Sequence, residues 1–75
     1  MNIERLVSMA NDIATYFAAE PDRAAAVAGV RSHLDRFWDP AMRRQLKAHL
    51  DAGGEGMLPL TREAAAGMRV PPPVG

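Results

Sequence analysis

The sequence contains no cysteine, two histidines and four aromatic side chains, and it has no long apolar run. Without cysteine there is no disulfide, and two imidazoles alone do not assemble a structural zinc site of the usual Cys/His kind. No stretch approaches the roughly 18 apolar residues of a membrane span. The opening heptapeptide MNIERLV lacks the basic flank, apolar run and small-residue cleavage site of a signal peptide. The expected compartment is therefore the cytoplasm, with no membrane partner. An excess of one charge is missing too, because nine Lys+Arg balance nine Asp+Glu. That balance argues against a chain whose main partner is nucleic acid, since such affinity comes chiefly from neutralising phosphates.

What the chain does have is alanine. Of its 36 apolar residues 14 are alanine, which leaves 22 side chains large enough to fill a core, five of them methionine. Domains of this length rarely exceed roughly 3–5 kcal/mol of stability without a disulfide, a metal or a partner. Close helix packing or a partner must supply the difference.

The pattern predicts an all-α chain: a small three-helix bundle with a short fourth C-terminal helix and an extended Pro-rich tail. Residues 1–68 form the helical domain and 69–75 the tail. Ile3, Leu6, Val7, Ala10, Ile13, Ala14 and Phe17 step along one helical face, so the first helix runs from about 3 to 19, with Asn2 as its cap and Pro21 closing it. Tyr16 falls off that stripe and marks a second contact surface. Pro21 is expected in the first turn of a second helix spanning 22–37, whose large side chains are Val27, Val30, Leu34, Phe37 and Trp38. Gly29 within it signals close approach of a neighbouring helix.

Asp39-Pro40 pairs a capping carboxylate with a proline at the first helical position, and the third helix then runs from 40 to 51 and ends at Gly53-Gly54. The segment GGEGMLPL is a loop by composition, yet Met57, Leu58 and Leu60 are too apolar to stand free, so they pack back or onto a partner. Thr61 is expected to cap the fourth helix, from Arg62 to about Met68.

Catalytic machinery is scarce. Ser8, Ser32, His33 and His49 are the candidate nucleophiles and imidazoles, and Ser32 and His33, adjacent on a helix, point about 100° apart and do not pair. Two histidines without a carboxylate at helical spacing make a poor metal site, so neither a catalytic nor a metal residue is expected. A helix-turn-helix DNA reader or small adaptor is the alternative reading, because a tight turn precedes a helix bearing Arg43, Arg44 and Lys47. Phe37-Trp38 reads equally as core and as an interface anchor.

The string Leu6 to Ala14 (LVSMANDIA), then Phe17, Pro21-Asp22, VAGV at 27–30, His33-Leu34, Arg36 to Arg43 (RFWDPAMR), His49 and Gly53 to Met57 (GGEGM) resembles the delta subunit of bacterial NAD-dependent, molybdenum-containing formate dehydrogenases. The resemblance covers about residues 3–65, with His33 to Arg43 its most specific part. It implies a non-catalytic accessory subunit. The large subunit it accompanies carries bis-molybdopterin guanine dinucleotide and iron–sulfur clusters, and the smaller subunits carry FMN and bind NAD. No cofactor is expected in this chain. On that footing the expected partner-binding strip is Phe37, Trp38, Pro40, Met42 and Met57, Leu58 and Leu60, with Arg43 and Arg44 meeting acidic groups at its rim.

Overall fold

The computed structural model describes residues 2–72. They form four helices, α1 (Ile3–Phe17), α2 (Arg23–Phe37), α3 (Pro40–Asp51) and α4 (Pro59–Gly67), and no strand among the described residues. The Asn2 carboxamide accepts from the Glu4 amide at 2.7 Å and starts α1. This helix ends at Phe17, two residues before the expected boundary, because the Glu20 amide turns back onto the Phe17 carbonyl (3.0 Å) ahead of Pro21. Pro21 is not in the first turn of α2. Asp22 is the cap, accepting from Ala24 at 3.1 Å, and helical geometry begins only after it, at Arg23.

Asp39 and Pro40 start α3 as the sequence predicts, with the Asp39 carboxylate 2.9 Å from the Met42 amide. After α3 the chain reverses through Gly53 (φ 122°) and Gly54 (φ 64°), a conformation that side-chain-bearing residues adopt only with strain. The Gly54 amide closes the helix end on the His49 carbonyl at 2.8 Å.

The start of α4 corrects the sequence reading. It begins at Pro59, three residues ahead of the expected start at Arg62, and Thr61 is not its cap but a fully buried residue inside it. Leu58 occupies the cap position without a capping side chain of its own, and the missing acceptor comes from α1: Asn11 Oδ1 accepts from the Leu58 amide (3.1 Å) and from the Thr61 hydroxyl (2.8 Å). Nor is α4 an appendage. It packs on α2, α3 and α1, so the bundle has four walls, with α2 and α4 its most extensive pairing.

The core contains Leu6, Val30, Leu34 and Leu46 at zero exposure, together with Ala10, Ala14, Ala26, Ala64 and Ala65. Alanine thus supplies much of the interior, because methyl-sized side chains let helix backbones approach closely; it does not merely dilute the apolar content. Gly29 takes this further: the Phe17 ring lies on its bare backbone, where a Cβ would sit 2.5 Å from Phe17 Cδ1. The close approach expected at Gly29 is therefore met by an aromatic ring of α1.

Residues 69–72 have no helical or strand assignment, Val70 packs against the core, and the remainder of the predicted tail lies outside the described residues.

Candidate partner-binding surface

The nine residues expected to form one contact strip divide by burial. Trp38, Met57 and Leu60 are each 5% exposed and belong to the chain's own core. Arg43 is 7% exposed and is not a rim charge. Its Nε donates to the Arg69 carbonyl (2.8 Å), and its Nη1 donates to the carbonyls of Asp35 (3.2 Å) and Trp38. Two of those acceptors lie at the C-terminal end of α2, where unsatisfied carbonyls and the helix dipole favour a cation. The Asp35 carboxylate in turn accepts from the Arg69 amide at 2.6 Å, so the backbone of Arg69, in the segment after α4, is held at both its N–H and its carbonyl.

Met42 and Arg44 are half-buried, and Pro40 is exposed at the start of α3. Phe37 and Leu58 are the large hydrophobic members of the set that face outward, at 71% and 43% exposure. The basic patch that a DNA reader would use is dispersed: Arg43 is buried on carbonyls and Lys47 pairs with Asp51 at 2.8 Å.

The loop from Gly53 to Leu58 is fastened rather than free. Arg62 donates to the carbonyls of Met57 (3.1 Å), Gly53 (3.0 Å) and Gly54 (2.8 Å). Asn11 Nδ2 donates to the Gly56 carbonyl (2.9 Å), and His49 Nε2 donates to the Glu55 carbonyl (2.7 Å), the only role a carbonyl partner leaves it. Met57 and Leu60 are thereby packed back into the core while Leu58 is presented outside. The Asn11 fastening was not legible locally, because Asn11 and Gly56 lie 45 residues apart.

The sequence reading of Tyr16 as a second surface points to a feature the nine-residue set omits. Tyr16 is 77% exposed and its ring stands edge-on to Phe17 at 5.1 Å. With Ile13, Phe17, His33 and Asp12 it lines a groove between α1 and α2, and His33 carries the groove on to Phe37, 4.8 Å away between ring centres. The spacing of His33 and Phe37, one helical turn apart, was visible in the sequence; their conjunction with Tyr16 across helices was not. A second cleft opens beside it, between α1 and the Glu55-Gly56 turn, with Ile3 and Val7 in its lining and Glu4, Ser8, Asn11, Asp12, His49 and Glu55 supplying the polar groups. Asp12 is common to both.

Among the described residues no three His, Cys, Asp or Glu side chains are grouped so as to hold a metal ion, and no helix is long and apolar enough to cross a membrane. A family model described as the NADH-dependent formate dehydrogenase delta subunit FdsD matches residues 5–65. No curated protein and no solved structure matches the chain.

Proposed function

The chain belongs to the NADH-dependent formate dehydrogenase delta-subunit family, and from that premise we propose that it is a non-catalytic accessory subunit that stabilises the large catalytic subunit and supports its cofactor-loaded state. The family match over residues 5–65 carries this reading. The residue inventory supports it. A sequence with no cysteine offers no thiolate for an iron–sulfur cluster, and the described residues hold no strand and hence no strand-to-helix phosphate loop. In this proposal the molybdopterin, iron–sulfur, flavin and nicotinamide cofactors belong to the large and small partner subunits in the cytoplasm.

Phe37 and Leu58 are the contacts in this proposal. Trp38, Arg43, Met57 and Leu60 act indirectly, by fixing the elements that present them. Pro40, exposed, and Met42 and Arg44, half-buried, follow Phe37 in the first turns of α3 and are its proposed companions at the contact. A partner that binds only the folded form stabilises it by mass action, about 2.7 kcal/mol at a hundredfold excess over Kd. The same linkage stabilises the large subunit.

Affinity purification of the tagged chain from its native cytoplasm tests the assignment. The expected result is retrieval of the large subunit, identified by mass spectrometry, together with molybdenum, while the isolated chain shows no formate-dependent turnover. Recovery of the chain without that subunit overturns the proposal.

A further inference from the structure

Of the nine Asp and Glu side chains, six are committed within the fold. Asp22 and Asp39 cap helices, Glu20 accepts from the Asp22 amide, and Asp35 holds the Arg69 amide. Glu63 pairs with Arg23 at 2.7 Å and Asp51 with Lys47 at 2.8 Å. The other three, Glu4, Asp12 and Glu55, make no side-chain hydrogen bond or ion pair among the described residues, and all three line the same cleft. Glu4, Ser8 and Asp12 recur every fourth residue along α1, and Glu55 reaches the cleft from the turn that Asn11 and His49 fasten. No lysine or arginine lines it. Through Asp12 the cleft continues directly into the exposed groove of Ile13, Tyr16, Phe17 and His33.

We infer that this composite face of α1 is the docking site for a segment of the large formate dehydrogenase subunit that presents lysine or arginine beside an apolar side chain. The cationic group enters the carboxylate cleft and the apolar one the Tyr16 groove. Charge complementarity selects this occupant. Three carboxylates with no lysine or arginine among the described lining residues repel an acidic segment, and bring a basic one in from a distance of about a Debye length, 8–10 Å. The aromatic groove beside them supplies the desolvated anchor that charge pairs at an exposed rim lack. The inference rests on the accessory-subunit reading and adds to the Phe37 and Leu58 contacts a second surface, on α1, and the chemistry of the partner segment that meets it.

The test uses the tagged full chain and the remaining subunits of the complex, with binding measured at low and high salt. Three forms are compared: wild type, the neutral isostere set E4Q/D12N/E55Q, and Tyr16→Ala. Asp12 and Glu55 hold nothing in the fold among the described residues, and Glu4 contributes its first-turn charge to the α1 dipole, about 0.3–1 kcal/mol, so the isostere set is expected to stay within about 1 kcal/mol of wild type; Asp12→Asn alone serves as the variant that leaves the urea midpoint unchanged. Wild-type binding is expected to weaken with salt. The isostere set is expected to bind about tenfold more weakly at low salt, with a flattened salt dependence. Tyr16→Ala is expected to lose about tenfold at both salt concentrations. Wild-type binding with no change in either set of variants overturns this surface while leaving the accessory role standing, whereas no wild-type binding overturns both. Sedimentation showing that the chain pairs with a second copy of itself, and loses that pairing in E4Q/D12N/E55Q, overturns the assigned occupant.

Discussion

Replacing Arg43 by methionine is expected to unfold about half of the isolated chain in water at room temperature. Methionine fills much of the volume but leaves the carbonyls of Asp35, Trp38 and Arg69 without their shared donor. Hydrogen bonds to a charged group contribute about 1.5–3 kcal/mol each, and buried acceptors left unpaired lose their solvation as well, so a net loss of about 3–5 kcal/mol is expected. That equals the whole stability of a typical domain of this size, roughly 3–5 kcal/mol. Arg43→Lys keeps the charge but replaces a planar fork with a point donor, and an intermediate loss of about 1–3 kcal/mol follows. Urea titration followed by helical circular dichroism checks both. A methionine variant within about 0.5 kcal/mol of wild type, the scale of an ordinary surface change, shows that the guanidinium clamp contributes nothing to stability.

Trp38→Ala is the second large effect, and its meaning depends on where the indole is. At 5% exposure it is core, so truncation costs about 3–5 kcal/mol, the range for a buried aromatic. Its carbonyl is also one of the Arg43 acceptors, so the two sites are coupled and their losses do not add. Retrieval of the large subunit falls in this variant because the folded population falls. Trp38→Phe, which retains most of the buried ring surface, recovers both stability and retrieval. Were the indole instead a direct partner contact, the alanine variant would keep the wild-type urea midpoint and lose affinity alone.

These two residues also show where reading the sequence succeeds and where it stops. Asn2, Asp39-Pro40 and Gly53-Gly54 were legible because a cap and its amide lie within three or four residues of one another, and the Gly29 signal was legible because an interior glycine costs about 1 kcal/mol unless something approaches it. The start of α4 was not, because the acceptor that stands in for its cap is Asn11, 47 residues from the Leu58 amide. Arg43 looked like a rim charge on an amphipathic helix because its acceptors belong to α2 and to the segment after α4, and no local pattern places those together. Trp38 was ambiguous between core and interface for the same reason.

The apolar count carried a related error. The sequence reading sets alanine aside as too small to fill a core and places Trp38, Met57 and Leu60 in the expected partner-binding strip. In the structure Ala10, Ala14, Ala26, Ala64 and Ala65 are buried, and they share one core with Trp38, Met57 and Leu60. The apolar surface left outside is smaller and differently placed, at Tyr16, Phe37 and Leu58. The acidic cleft could not be read from spacing at all, since Glu55 joins Glu4 and Asp12 only when the Gly53 to Leu58 loop folds back on α1.

The central claim, that this chain acts by sustaining another subunit rather than by chemistry of its own, is tested most directly by preparing the large formate dehydrogenase subunit with its other partners in the presence and absence of the chain. The quantity to measure is molybdenum per large subunit. The account predicts a lower molybdenum content and a lower yield of soluble large subunit without the chain, both restored when it is supplied. Equal molybdenum content and equal yield in the two preparations would contradict it.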